Sequence, residues 1–95
     1  MLIINSKEKL HYLIKEYLRG NYKASTFCDL FSQVYDLEVD YRELSTRENE
    51  LFGELSKMCG RFSDVEEDLK LPNVYFDEKV IKNKVNELSK SFGIL

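Results

Sequence analysis

Four carboxylates stand within five positions at Asp64, Glu66, Glu67 and Asp68, and two more follow at Asp77 and Glu78. Acids this close repel one another and attract a basic surface from a distance, so the chemistry they offer is electrostatic binding. Held in one shape, such a run can occupy a cleft where lysines and arginines otherwise hold phosphate. No other constellation competes with it. His11 is the single histidine, flanked by Leu10 and Tyr12, and it reads as a half-exposed packing residue with no nucleophile in its own segment. One histidine and two cysteines without metal spacing make no ordinary zinc set. Asp36, Glu38 and Asp40 begin like a calcium loop, but Tyr41 sits where the sharp turn needs glycine and Arg47 where a bidentate glutamate is required. Glu50 and Glu54 share a helix face, yet the Glu-x-x-His pairs of a di-metal bundle are missing. There is no glycine-rich phosphate loop. The expectation is a binding protein with no catalytic residue, no metal and no cofactor.

The wider charge pattern points the same way. From Asp36 to Glu78 there are thirteen acidic and five basic side chains, a net of −8, whereas the segments before and after carry +2 and +3. The overall charge of −3 hides this acidic middle. Lys79, Lys82, Lys84 and Lys90 gather near the C-terminal end, but the chain is net negative and only Phe92 is interleaved with them. They read as the solvated face of a helix, and no nucleic-acid partner is expected.

Ninety-five residues make one domain, residues 1–95, large enough for a core without staples. Sparse glycine and one proline, Pro72, favour helices. A first helix, with Ser6 as its cap, carries Leu10, Leu13, Ile14, Tyr17 and Leu18 on one face and stops at Gly20-Asn21. Its off-stripe residues Lys7, Lys9, Lys15 and Glu16 are expected in solvent. A second, from Ala24 or Ser25, has the stripe Phe27, Leu30, Phe31, Val34 and Leu37. Ser45-Thr46-Arg47-Glu48 fits a capping box and opens a third, with Leu51, Phe52, Leu55, Met58, Cys59 and Phe62 inward. Gly53 and Gly60 are awkward in it; Gly60 marks either the helix end or a close approach of another segment. Asp77 caps a fourth, with Val80, Ile81, Val85, Leu88 and Phe92 inward, and Gly93 closes it.

The connection from Ser63 to Phe76 is long for a helical bundle. Ser63-Asp64-Val65-Glu66 predicts one short helical turn, Pro72-Asn73 a turn, and Leu69, Leu71, Val74 and Phe76 pins to the core. The expected fold is all-α, an antiparallel four-helix bundle with this connection between helices three and four. Cys28 and Cys59 fall in apolar helical patterns and read as reduced core thiols. With no signal-peptide pattern and no membrane span, a cytoplasmic protein without a membrane partner is expected.

Glu50-Leu51-Phe52, then Arg61-Phe62 with acids just after, and a last helix of the form Val80-Ile81-x-x-x-Val85-x-x-Leu88 ending in Phe92 resemble the colicin D-type immunity proteins. These are small four-helix inhibitors of bacterial tRNA-cleaving toxins, with relatives that protect cells carrying contact-dependent growth-inhibition toxins. The resemblance covers Glu50 to Phe92; Gly60 departs from it, standing where the family pattern has an acid. It implies one-to-one binding of a cognate basic nuclease toxin domain, whose tRNA cleft is occluded by carboxylates. Carried over by position, these are Asp64, Glu66, Glu67 and Asp68, with Arg61 as their local brace.

Among aromatics, Tyr75 is the expected anchor of such an interface, ahead of Tyr41, and Asp77 and Glu78 extend its acidic side. The alternative is a non-catalytic helical dimerisation or regulatory module, in which Tyr12, Tyr22, Tyr35 and Phe52 lie on the surface.

Overall fold

A computed structural model describes residues 6–71 and 74–94. These form five α-helices: α1 (Ser6–Leu18), α2 (Ala24–Gln33), α3 (Thr46–Gly60), the single turn α4 (Glu66–Leu69) and α5 (Glu78–Phe92). A π-helical turn, Val34–Glu38, prolongs α2, and a 3-10 turn, Tyr41–Glu43, leads toward α3. No strand occurs among the described residues. α1 packs on α2 and α5, and α3 packs on the same two, so the four long helices close a ring around one core.

Local chemistry sets most of the helix ends. The Ser45 hydroxyl accepts from the Glu48 N–H and the Glu48 carboxylate accepts from the Ser45 N–H, which satisfies two free donors at the start of α3. Asp77 accepts from the Val80 N–H at 3.0 Å to open α5. Gly20 and Gly93, at φ 87° and 62°, take the left-handed conformation that ends α1 and α5. Past Gly93 the chain turns back, and Ile94 is buried. The capping role expected of Ser6 falls at the edge of the described residues, and the Pro72-Asn73 turn lies outside them.

The core is largely aromatic. Tyr17 stacks on Phe27 with centroids 4.4 Å apart, and Phe31 meets Phe52 at 6.1 Å in an edge arrangement. Phe52, expected on the surface under the dimer reading, is wholly buried. Leu10, Ile14, Leu55, Ile81, Val85 and Leu88 complete the interior, as their helical spacing predicts. Val80 departs from its stripe and is exposed.

The larger departure is at the end of α2. An α-helical period carries Leu37 inward after Val34, yet Leu37 is 80% exposed. The π-turn is the cause. The Val39 N–H donates to the Val34 carbonyl at 2.9 Å, five residues back, so one extra residue enters the turn and the face rotates. Leu37 swings into solvent and Val39 takes its place inside. Long-range contacts hold the turn. The Tyr35 hydroxyl hydrogen-bonds the Asn49 carbonyl, the Ser56 hydroxyl donates to Asp36, and the Tyr41 hydroxyl donates to the Tyr35 carbonyl. Gly53 is the close-approach glycine: a Cβ there would lie 3.0 Å from the Tyr35 hydroxyl oxygen, whereas Gly60 meets nothing and marks the end of α3.

Two stability measurements test this arrangement. Leu37→Ser is expected to change unfolding free energy by no more than about 0.5 kcal/mol, against roughly 2–5 kcal/mol lost in Leu55→Ala; urea titrations giving similar losses would contradict the outward Leu37. Gly53→Ala is expected to lower stability in the wild type but to raise it by about 1 kcal/mol, its helix-propensity gain, once Tyr35→Phe has removed the obstructing oxygen.

Candidate functional site

The connection after α3 is a loop whose ends meet. Phe62 and Phe76 form an isolated parallel bridge: the Phe76 N–H donates to the Arg61 carbonyl at 2.8 Å and the Ser63 N–H to the Phe76 carbonyl at 3.0 Å. Both phenyl rings pack on the core. A loop closed at its base in this way loses much of its conformational freedom.

Ser63 organises what lies above the neck. It is buried, its hydroxyl accepts from the Val65 N–H at 3.0 Å, and it donates to the Asp68 carboxylate at 2.9 Å. One side chain thus ties Val65, just before α4, to Asp68 near the end of that single turn. Of the four residues expected to pin this connection, Phe76 reaches the core, whereas Leu69, Leu71 and Val74 are exposed. Nor does Arg61 brace the acids, since no ion pair joins it to them among the described residues and its side chain is exposed. Serine at the neck holds the carboxylate instead.

The seven candidate residues divide into three groups. Asp64, Asp77 and Glu78 line one groove of about 380 Å³, with Phe62 and Leu69 as its apolar surface and Lys23, at the head of α2, also lining it. Glu66 and Glu67 stand exposed in the first turn of α4. Asp68 is half-buried toward Ser63, and Tyr75 lies exposed one residue before the neck. Asp77 is partly used in capping α5.

Among the described residues, these six acids share a lack of cationic partners, as do Asp29, Asp36, Glu43, Glu50 and Glu87, but only here do so many unpaired acids fall close together in sequence. Elsewhere Glu48 pairs with Lys7 at 2.9 Å, Glu38 with Lys9 and Glu54 with Lys84 at 2.7 Å, Asp40 with Arg42 at 3.0 Å and Glu16 with Arg19 at 3.1 Å. Among the described residues, no ion pair touches any carboxylate from Asp64 to Glu78. The pairs also correct the picture of α1 and α5 as carrying simply solvated lysines. Lys84 is largely covered and holds Glu54 below its ordinary pKa, while the Lys82 amine sits 4.7 Å over the Tyr17 ring.

A second groove, of about 560 Å³, was not legible from spacing alone. Asp36, Glu50 and Glu54 line it beside Gly53 and Tyr35, brought together by the π-turn. Its only local signal is Gly53, a glycine in the middle of a strong helix.

The remaining chemistry-bearing groups are packed away. The Cys28 and Cys59 thiols are free and buried, and their mutual hydrogen bond with desolvation pushes Cys59 well above the usual thiol range. Burial, reinforced by Lys7, holds His11 below its ordinary pKa, and its ring meets Phe52 edge-on at 5.9 Å. Among the described residues no group of three His, Cys, Asp or Glu is placed to hold a metal, and no helix is long and apolar enough to cross a membrane. Compared with models of known families, with curated proteins and with solved structures, the chain has no match.

The neck has a direct test. Ser63→Ala is expected to cost about 1–2 kcal/mol, because a buried acceptor for the Val65 N–H and a partner for Asp68 disappear together. Faster amide exchange at Val65 with little change in α1 is the accompanying signature; unchanged exchange there would remove Ser63 from its organising role.

Proposed function

We propose that this protein is an immunity-type inhibitor that binds a cognate bacterial nuclease toxin, of the tRNA-cleaving type, one-to-one in the cytoplasm and blocks its basic active site with carboxylates. The observation that carries this reading is a run of acids without ion pairs, Asp64 to Asp68 on a loop closed by Phe62 and Phe76 and Asp77 and Glu78 just past its neck. Uncompensated charge held in one place costs folding stability through self-repulsion, and a basic partner is what removes that cost. Asp64, Glu66, Glu67 and Glu78 are the residues proposed to face the toxin, with Asp68 and Asp77 holding the loop and α5 in shape beside them. The resemblance of Glu50 to Phe92 to the colicin D-type immunity proteins supports the same role. So does the ring of α1, α2, α3 and α5, which suits the antiparallel four-helix bundle proposed for it.

A dimerising or regulatory helical module is the competing reading, and the exposed apolar side chains of the connection are what favour it. The acids around them argue against it, because pairing two copies through this face sets like charges together.

The decisive experiment begins with the neighbouring gene. A secreted protein with a basic C-terminal nuclease domain, encoded immediately upstream, is expected to bind this chain and lose its RNA-cleaving activity. Reversing Asp64, Glu66, Glu67 and Glu78 to lysine is expected to restore cleavage and to slow association roughly 10- to 1,000-fold. Wild-type association is expected to slow steeply as salt rises, measured by stopped flow. A reversed variant that still neutralises the nuclease would remove the acids from the mechanism.

A further inference from the structure

The carboxylates are not the only feature the loop presents. Among the described residues, Val65, Leu69, Leu71, Val74, Tyr75 and Val80 are all between 37% and 51% exposed, and they crowd into sixteen positions. Only Tyr12, Leu37 and Tyr41 are comparable elsewhere, scattered over other elements. Burial explains none of the six, because Phe62, Phe76 and Ser63 already fix the loop. Exposed apolar residues interleaved in sequence with charged ones have the composition of a protein interface, in which an apolar centre holds and a polar rim steers.

We propose that Leu69, Leu71, Val74 and Tyr75 are the apolar anchor of the interface, seated in an apolar depression that lysines and arginines surround on a folded basic protein. The carboxylates of Asp64, Glu66, Glu67 and Glu78 form the rim and guide the approach. This inference rests on the inhibitor reading and divides its work: the apolar residues set how long the complex lasts, the acids how fast it forms.

Charge decides the occupant. RNA and anionic lipid headgroups both present phosphates to a segment in which six carboxylates outnumber the exposed Arg61, Lys70 and Lys79, and the net negative charge repels them. A second copy of the chain would bring one acidic border against another. A basic protein with an apolar hollow satisfies both parts of the surface at once, with arginine suited to the carboxylates and aliphatic or aromatic side chains to the centre.

Two sets of full-length variants separate the roles against the basic nuclease domain encoded beside the gene. Leu71→Ser with Val74→Ser, and Leu69→Ser with Tyr75→Ser, are expected to speed dissociation about a hundredfold while changing association less than about threefold. Glu66→Gln, Glu67→Gln and Glu78→Gln together are expected to slow association about tenfold and flatten its salt dependence, with dissociation changed less than about threefold. Circular dichroism and urea titration establish that each variant is folded. Hydrogen exchange on the wild-type complex provides a reading independent of substitution: protection is expected at Leu69, Leu71, Val74 and Tyr75.

If the wild type neutralises the nuclease but the serine variants dissociate at the wild-type rate, or those four amides stay unprotected, the anchor assignment fails and the inhibitor reading stands. If the wild type binds no such domain, both fail. A wild-type homodimer in sedimentation that Leu71→Ser with Val74→Ser disperses, or binding to tRNA or phosphatidylglycerol vesicles that the same variant abolishes, would overturn the proposal in favour of that occupant.

Discussion

The Phe52 side chain is where the four long helices meet. Its ring faces His11 of α1 at 5.9 Å, Phe31 of α2 at 6.1 Å and Phe92 of α5 at 5.2 Å, while its own backbone belongs to α3. No solvent reaches it. In a chain of ninety-five residues, one aromatic touching every neighbour can set the spacing of the whole interior, since cores are packed too tightly to absorb a change of volume at one point. α3 is thereby fixed relative to α5, and the connection between them is held at both ends. The acidic loop inherits its position from a ring buried elsewhere.

Features that depend on a few neighbours along the chain are readable from sequence, and those that depend on distant partners are not. The capping box at Ser45 and Glu48, the Asp77 cap and the Gly93 stop form as their residue types predict, because each is completed within one helical turn. Leu37 defeats periodicity because the π-turn is held from outside its own helix, by Asn49 and Ser56 of α3. The position of the acidic run is evident in the letters. That its members have no cationic partners is not, since pairs such as Lys84 with Glu54 span thirty positions. Hydrophobicity alone places one pin of the loop, Phe76, and misplaces the others, since Phe62 and Ser63 do what Leu69, Leu71 and Val74 are expected to do.

Charge is handled in two ways along the acidic middle. Asp40, Glu48 and Glu54 each meet a cation, and hydrogen bonds to Arg42, Ser45, Lys7 and Lys84 lower their pKa values. For Glu48 this happens despite desolvation, which alone would raise it. Folding has arranged those acids around the frame of the molecule. Beyond Phe62 the carboxylates accept hydrogen bonds from Ser63 and the Val80 N–H, groups that orient without neutralising. The same residue type thus serves cohesion in one place and leaves an open field in the other.

The bridge between Phe62 and Phe76 has a consequence for how such a chain can diversify. Backbone hydrogen bonds make that joint, so it places no demand on the identity of the side chains above it. Outside Ser63, Asp68 and the neck itself, the exposed positions of the loop can be rewritten without disturbing the helices beneath. Rewriting those positions would change the surface of the loop while the helical frame beneath stays constant.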